Sequence, residues 1–425
     1  MPRFSKIGIL IFLTLIISAS FCISHFSKAE NGTNNVLATS ISNQDLEYSA
    51  DFNSFTEGTV YICPDATSLE EINPRCSGKI ILKLGETING MTLTTTNYEG
   101  QDYYLVIGFT NGGGAYNLPP EANANGPYQA YAGLPITFDG SNSRDPNGDP
   151  LQYRWDFGND GVWETNWLNA STTEHIWNDD FEGIVKLEVS DGEFSAIATT
   201  SVKVISPKAL KQDAVAELED AKTGDKKTDQ KIDQIIKHIQ NSLDDNLWID
   251  SSHLVFFKKD CFDPEILKLN SDAVDLEKMF EFEPEQMELE MKELFNGKCF
   301  APKIGLRVFH EEYVAIKLMI IELKEKHQNS DGLKPVFEEV INKLVKADTL
   351  LAKVSLFDAK NTPVQNPKFQ KIVERQIEKS GEELLKAKDE LEKGRPDKTI
   401  MRLSKAWLHS QLAIKFANLE LEIKL

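Results

Sequence analysis

Oxygen-bearing side chains are concentrated in a turn-rich stretch near the middle of the chain. Asp145, Asn147 and Asp149 alternate in the way that the first ligands of a calcium-binding loop do, and Ca²⁺ prefers a shell of oxygen ligands. Pro150 stands where the loop of helix–loop–helix calcium proteins requires glycine, which excludes that motif. We expect either a looser calcium site built from Asp145, Asn147, Asp149 and Asp160, or capping of turns by the same side chains.

A histidine followed by two glutamates begins like the zinc-binding helix of metalloproteases. The run is His310-Glu311-Glu312-Tyr313-Val314, and the second zinc-binding histidine would have to occupy the position of Val314. The sequence also contains no Gly-x-Ser-x-Gly nucleophile elbow, no phosphate-binding glycine loop and no dinucleotide fingerprint. We therefore expect a protein that is not an enzyme.

The amino terminus has the order of a secretory signal. Arg3 precedes the apolar run Ile7–Ile23, and small residues flank a cleavage position after Ala29. No later stretch is long and apolar enough to cross a bilayer, so cleavage would release a secreted or cell-surface protein, and an uncleaved signal anchor is the alternative. In a host that glycosylates exported proteins, sequons at Asn31 and Asn169 would become glycosylation sites.

The cysteines suit an oxidising compartment. Removal of Cys22 with residues 1–29 leaves Cys63, Cys76, Cys261 and Cys299, an even number that allows three pairings. Proximity in the sequence favours Cys63–Cys76 and Cys261–Cys299. No Cys-x-x-Cys motif or cysteine–histidine cluster is present, so we expect disulfide staples rather than a zinc or redox site.

The charge balance excludes nucleic acid as a partner. The chain of 425 residues has 46 Lys and Arg against 66 Asp and Glu, a formal net charge of −20. Binding to a duplex needs a basic surface that displaces counterions from phosphates, and the sequence shows none. Apolar residues make up 41% and charged residues 26%, which indicates a folded, globular protein.

Composition divides the chain into segments with different elements. We expect a signal peptide over 1–29, a flexible leader over 30–57 and a small disulfide-stapled β domain over 58–110. A glycine- and proline-rich linker follows over 111–120. Alternating apolar residues then predict a β-sandwich over 121–206, and helical periodicity predicts an all-α bundle over 208–425. The fold class is therefore multidomain, β followed by α.

Motifs along the sandwich segment resemble the PKD domain, an Ig-like β-sandwich. They are Phe138-Asp139-Gly140-Ser141, Ser143-Arg144-Asp145-Pro146-Asn147-Gly148-Asp149, Tyr153-Arg154-Trp155-Asp156-Phe157-Gly158 and Val189-Ser190-Asp191-Gly192. The resemblance covers nearly the whole segment. It implies a module that is usually non-catalytic and acts as a spacer or binding unit in secreted and cell-surface proteins.

Tryptophans are frequent in this segment, which holds four of the six in the chain. The resemblance implies that Trp155 and Trp177 belong to the core. Trp163 and Trp167 remain as candidates for stacking on a glycan ligand, because exposed aromatic rings can cover the faces of sugars. The alternative is that both rings simply pack against the protein.

The carboxyl-terminal half resembles the helical FIMAH-type module that follows PKD and Ig-like repeats in archaeal and bacterial exported proteins. The residues that carry the resemblance are Ala221-Lys222-Thr223-Gly224-Asp225-Lys226-Lys227, Ile239-Gln240-Asn241-Ser242-Leu243, Leu247-Trp248-Ile249-Asp250 and Ala406-Trp407. The resemblance implies no activity. We expect the bundle to act as a docking element or to mediate self-association.

These observations predict a non-catalytic modular protein that binds an extracellular or envelope protein or glycan, for example in adhesion. An alternative is an accessory subunit, or a weak hydrolase, that acts on extracellular polysaccharide or protein. A cleft lined by converging titratable groups within 208–425 would favour this alternative over the non-catalytic function.

Overall fold

The computed structural model describes residues 46–49, 59–63, 76, 78–98, 101–107, 113–146, 148–256, 304–324 and 332–419. They form two compact units, one of the described residues up to 120 together with those of 145–150, and the other of the described residues of 121–144 and of those from 151 onward. Some predicted features lie outside the described residues, namely the signal 1–29, Asn31, Asn147 and the cysteines Cys261 and Cys299.

Two antiparallel sheets make up the first unit. One has the order β3-β2-β7, and the other has the order β1-β6-β5-β4. Their strands are β1 Leu46–Ser49, β2 Thr59–Cys63, β3 Ile80–Lys83, β4 Thr87–Ile88, β5 Met91–Tyr98, β6 Gln101–Ile107 and β7 Gly113–Asn117. A disulfide joins Cys63, at the end of β2, to Cys76, which confirms the predicted staple. It stabilises a domain too small to depend on its core alone.

Two strands of this unit lie in segments whose composition indicates a leader and a linker. β1, within 30–57, pairs with β6, and β7, within 111–120, pairs with β2. The middle strand β2 is buried along Val60–Cys63, so both of its edges need hydrogen-bonding partners. β3 pairs with one edge of β2, and the glycine-rich backbone of β7 pairs with the other edge.

The β-sandwich in the second unit confirms the Ig-like prediction. Its larger sheet has the order β10-β12-β13-β8, and β9 pairs with β11 in the smaller sheet. The strands are β8 Tyr128–Tyr131, β9 Ile136–Asp139, β10 Gln152–Asp156, β11 Thr172–His175, β12 Phe181–Ser190 and β13 Ser195–Ile205. Phe138, Trp155 and Leu187 are fully buried in the core between the sheets, because alternate residues of each strand point inward.

Six α-helices follow in the described residues. They are α1 Pro207–Asp220, α2 Lys226–Ser242, α3 Leu306–Lys324, α4 Lys334–Asn361, α5 Gln370–Glu392 and α6 Pro396–Ala417. Asp225 caps α2 by accepting a hydrogen bond from the amide of Thr228. The bundle core includes Phe256 and Phe309, which both contact the ring of Trp407. None of the described helices is long and apolar enough to span a membrane.

The sandwich and the bundle are joined without a linker. β13 ends at Ile205, and Ser206 caps α1 by accepting a hydrogen bond from the amide of Ala209. Asp180 in the sandwich accepts hydrogen bonds from the amide and hydroxyl of Ser206, each at 2.7 Å. A small apolar cluster continues across the junction, formed by Leu210, Ala347 and Leu350 from the helices and Tyr131, Leu134 and Ile205 from the sandwich.

Candidate binding surface

The outer face of the larger sandwich sheet carries paired charges. Because side chains alternate along a strand, Arg154 points away from the core while its neighbours Tyr153 and Trp155 point into it. Arg154 lies opposite Glu188 on β12, and its Nε donates a hydrogen bond of 2.6 Å to Oε2 of Glu188. On the same face, Nζ of Lys186 lies 3.1 Å from Oδ2 of Asp156.

Trp163 and Trp167 lie on this face and hold the arginine between them. The guanidinium of Arg154 is 4.3 Å from the ring centroid of Trp163 and 4.5 Å from that of Trp167. Trp163 is half-buried, whereas Trp167 is 37% exposed. One side of each ring is therefore in contact with Arg154, and the sequence alone gave no sign that the two rings share a cation.

The loop that carries both tryptophans is fixed along the edge of β10. Tyr153 and Leu168 exchange two backbone hydrogen bonds of 2.9 and 2.8 Å. Nearer the start of the loop, the hydroxyl of Thr165 accepts a hydrogen bond from the amide of Trp155 at 2.8 Å. These hydrogen bonds fix the loop against β10, and Trp163 and Trp167 are therefore not carried on a free loop.

Next to the tryptophans, three carboxylates approach one another. Oxygen atoms of Asp156, Asp160 and Glu164 all lie within 4.8 Å of each other, a spacing that could hold a metal ion. Asp156 is fully buried and accepts hydrogen bonds from the amides of Asp160 and Gly161. Burial by itself would raise the pKa of Asp156, but these amides and Lys186 lower it below its ordinary value.

The other two acids of the group also have protein donors. Glu164 accepts a hydrogen bond from the amide of Phe157 at 2.7 Å, and Asp160 accepts one from the amide of Val162 at 2.8 Å. These contacts fix the conformation of the loop. They also account for the acidic cluster without a bound cation, so calcium at this loop stays a prediction.

The remaining described residues of the predicted calcium set belong to the first compact unit. Oδ1 of Asp145 accepts a hydrogen bond from the amide of Asp149 at 3.0 Å, which is the turn-capping contact that was the alternative to calcium. Burial, and to a lesser extent the negative charges of Asp149 and Asp145, raise the pKa of Tyr61. Asp160 belongs to the second unit.

Within the helices, the His-Glu-Glu run is buried. His310, Glu311 and Glu312 are almost fully enclosed on α3. Oε2 of Glu311 lies 2.7 Å from Nδ1 of His238. Burial would raise the pKa of Glu311, but hydrogen bonds from His238 and Asn241 bring it below its ordinary value. The run thus contributes to internal contacts between helices.

His253 lies between two carboxylates from different elements. Its Nδ1 is 2.8 Å from Oδ1 of Asp250 in the same loop, and its Nε2 is 3.1 Å from Oδ2 of Asp358 on α4. Burial opposes the charged form, but the two carboxylates raise the pKa of His253 to about 9. Asp250 and His253 are close in the sequence, but the contact of His253 with Asp358 is visible only in the fold.

Comparison with known proteins identifies the sandwich. The PKD domain family matches residues 117–205, and no curated protein matches the chain significantly. A solved structure described as carbohydrate-binding modules from the beta-sandwich superfamily is 30% identical over 21% of this chain and 35% of its own, with a TM-score of 0.19. The complex of Dpr2 Ig1-Ig2 with DIP-Theta Ig1-Ig3 is 13% identical over 41% of this chain and 65% of its own, with a TM-score of 0.14.

The chain thus spans less than two thirds of the length of either structure. The family match bears out the PKD prediction for the sandwich, whereas the FIMAH-type assignment of the helical half is not confirmed and stays a prediction.

Proposed function

We propose that this protein is a non-catalytic, exported binding protein whose sandwich attaches to a glycan on an extracellular or envelope surface. PKD domains are typically extracellular, and one matches residues 117–205. The disulfide between Cys63 and Cys76 suits the same oxidising compartment. Export itself rests on the predicted signal over 1–29.

The observation that carries the proposal is the Trp163–Arg154–Trp167 stack. The rigid aromatic surface of Trp167 is partly exposed beside the polar groups of Arg154 and Glu188. Aromatic rings next to fixed hydrogen-bonding groups suit a ligand with apolar faces and many hydroxyls. Because Arg154 and Lys186 are each paired with a carboxylate on the same face, an uncharged glycan fits better than a strongly anionic one.

The helical half gives the enzymatic alternative little support. One group of three titratable side chains there, Lys211, Glu312 and Asp348, has no exposed surface. A hydrolase needs its acid and base within reach of a substrate. We therefore propose a structural or docking role for the bundle and a binding role for the sandwich.

The proposal is tested by measuring retention of the full-length protein on a glycan array and on insoluble chitin and cellulose, in calcium and again in EDTA. Trp167→Ala should weaken binding by about tenfold or more, because an aromatic anchor contributes most at such a surface. Ile249→Ala is the matched control, since Ile249 is 70% exposed and lies on the helical half. Calcium-dependent retention would add the acidic loop to the binding site.

Two results would reject the proposal. One is the absence of retention on every glycan tested. The other is retention that Trp167→Ala and Ile249→Ala leave equally unchanged, because binding would then not involve the tryptophan face.

A further inference from the structure

Three charged side chains from three helices meet in the core of the bundle. Lys211 lies on α1, Glu312 on α3 and Asp348 on α4, and all three are fully buried. Nζ of Lys211 donates a hydrogen bond of 2.7 Å to Oδ1 of Asp348 and another to Oε1 of Glu312. A single amine is thus in contact with two carboxyl groups in a site without solvent.

The second oxygens of the two carboxyl groups have no protein donor. Oε2 of Glu312 and Oδ2 of Asp348 are buried, and neither has a hydrogen-bond partner among the described residues. A proton held between the two carboxyl groups satisfies both oxygens. Burial, and then the charge of Asp348, raise the pKa of Glu312 well above its ordinary value, which favours Glu312 as the carrier of that proton.

Apolar and small residues enclose the group. Ala214, Ala315 and Ala352 lie about one turn from the three charged residues on their respective helices, and all are fully buried. The ring of Trp248 is 5.9 Å from Nζ of Lys211. Such surroundings exclude water and hold the amine against the carboxyl groups.

We propose that Lys211 and Asp348 condense to an intramolecular amide bond, with Glu312 as the acid that moves the protons. The geometry suits this reaction because one oxygen of Glu312 contacts the amine and the other is left for the carboxyl group of Asp348.

The reaction begins with two proton transfers. Burial opposes the charge of Lys211, but the carboxylates of Asp348 and Glu312 raise its pKa, so the amine starts protonated. Glu312 gives its proton to Oδ2 of Asp348 and takes one from Nζ of Lys211. The amine is then neutral, and Asp348 and Glu312 are both neutral carboxylic acids.

The bond forms in the next step. The lone pair of Nζ attacks Cγ of Asp348, Glu312 gives its proton to the departing hydroxyl, and the resulting Glu312 carboxylate takes a second proton from the nitrogen. The new bond is N–C, the broken bond is C–O, and the leaving group is one water molecule. Three hydrogens on the ammonium become one on the amide and two on water, and Glu312 ends protonated as it began.

Position and burial both favour the condensation. Groups that are held in contact react as if present at about 10⁵–10⁸ M, and the expelled water has no place in an apolar core. The product is also neutral, so it removes the cost of keeping two separated charges out of water.

The bond would join helices that are far apart in the sequence. Lys211 and Asp348 are separated by 137 residues, and α1 follows the sandwich directly. A covalent link there would tie the sandwich-bearing helix to α4, the longest of the described helices. This fits a surface protein that must resist pulling and proteolysis, although the inference does not depend on the proposed function.

Peptide mass spectrometry of the purified full-length protein tests the inference. Trypsin should yield a branched peptide in which residues 209–222, uncleaved after Lys211, are joined to residues 347–353 with the loss of one water molecule. Tandem fragmentation assigns the bond to Lys211 and Asp348. Separate, unmodified peptides from the folded wild-type protein would overturn the proposal, and this result needs no variant.

Variants then test the role of Glu312. Glu312→Gln keeps a hydrogen-bonding side chain but cannot donate the acidic proton, so the branched peptide should fall at least tenfold. Lys343→Arg is the matched control, because Lys343 pairs with Asp213 and Glu217 outside the buried group. A circular dichroism spectrum checks that both variants fold. Equal amounts of branched peptide in a folded Glu312→Gln protein would overturn the role of Glu312.

Discussion

At the scale of single residues, Arg154 organises the outer face of the sandwich. It stacks on two tryptophan rings and pairs with Glu188, which is itself mostly buried. Arg154→Ala removes both contacts and leaves Glu188 without its cation. We expect the free energy of unfolding to fall by about 1–3 kcal/mol, measured by chemical denaturation.

Arg154→Lys is the informative comparison. Lysine keeps the charge but lacks the planar guanidinium, so it should restore the ion pair and only part of the stacking. We expect the loss of stability in Arg154→Lys to be smaller than that in Arg154→Ala. A loss below about 0.5 kcal/mol in Arg154→Ala would contradict the importance of the stack.

His253 predicts a pH dependence of stability. Its pKa is raised to about 9 in the folded protein, against an unfolded value of about 6.5. The imidazolium therefore contributes its full stabilisation below about pH 6.5, and the contribution is lost as the pH rises through about 9. With allowance for partial exposure, we expect about 2 kcal/mol, measured as the free energy of unfolding at pH 6 and pH 9.5.

His253→Gln should flatten that part of the pH profile. Glutamine can still donate a hydrogen bond to Asp250 or Asp358 but carries no titrating charge. Its stability should match that of the wild type above about pH 9 and fall short of it near pH 6. A His253→Gln protein with the wild-type slope would show that another group is responsible.

At the scale of elements, Gly133 connects a turn of the sandwich to α4. Its φ is +80°, and a Cβ atom there would lie 2.8 Å from both Cγ atoms of Val354. Gly133→Ala therefore has both a backbone cost and a steric cost. We expect a loss of about 2–4 kcal/mol in the free energy of unfolding, read from chemical denaturation.

Gly224 separates the two costs. It has nearly the same conformation, φ +81°, but open space around it, so Gly224→Ala has the backbone cost only. We expect a loss of about 1 kcal/mol in that variant. Equal losses in the two variants would mean that Val354 moves aside without cost.

The sequence predicted elements where the pattern is local. Alternation along β10 and β12 and the helical spacing of Ile232, Ile235 and Ile236 depend on neighbours in the chain, and both match the structure. β1 and β7 were missed because their strand character comes from pairing with β6 and β2, far along the sequence. Composition alone assigned them to a leader and a linker.

In the candidate site too, residue types could be predicted from the sequence, whereas contacts made in the fold could not. Trp163, Trp167 and Asp160 could be named from residue type, and the structure brings them to neighbouring parts of one loop. Arg154 could not be singled out, because its role depends on contacts between β10 and the loop that follows it. The contacts of Lys211 with Glu312 and Asp348 were equally inaccessible, since they span 101 and 137 residues.

At the scale of the whole second unit, the sandwich and the helices share one apolar junction. Leu350 on α4 is buried there with Leu210 of α1, and Tyr131 and Ile205 of the sandwich pack against them. Ser206 leaves no flexible spacer between β13 and α1. The sandwich and the described helices should therefore unfold together rather than as two independent domains.

Leu350→Ala tests this cooperativity. The cavity should cost about 2–5 kcal/mol, and because the junction is shared, both sides of it should lose stability. Hydrogen exchange measured by mass spectrometry should show faster opening in β12 and in α6, although neither element contains the substitution. Leu385→Ala is the control, since Leu385 is 71% exposed and should leave both unchanged. Faster exchange in α6 with an unaltered β12 would instead mean that the sandwich folds independently, and the direct connection through Ser206 would then not couple the two parts.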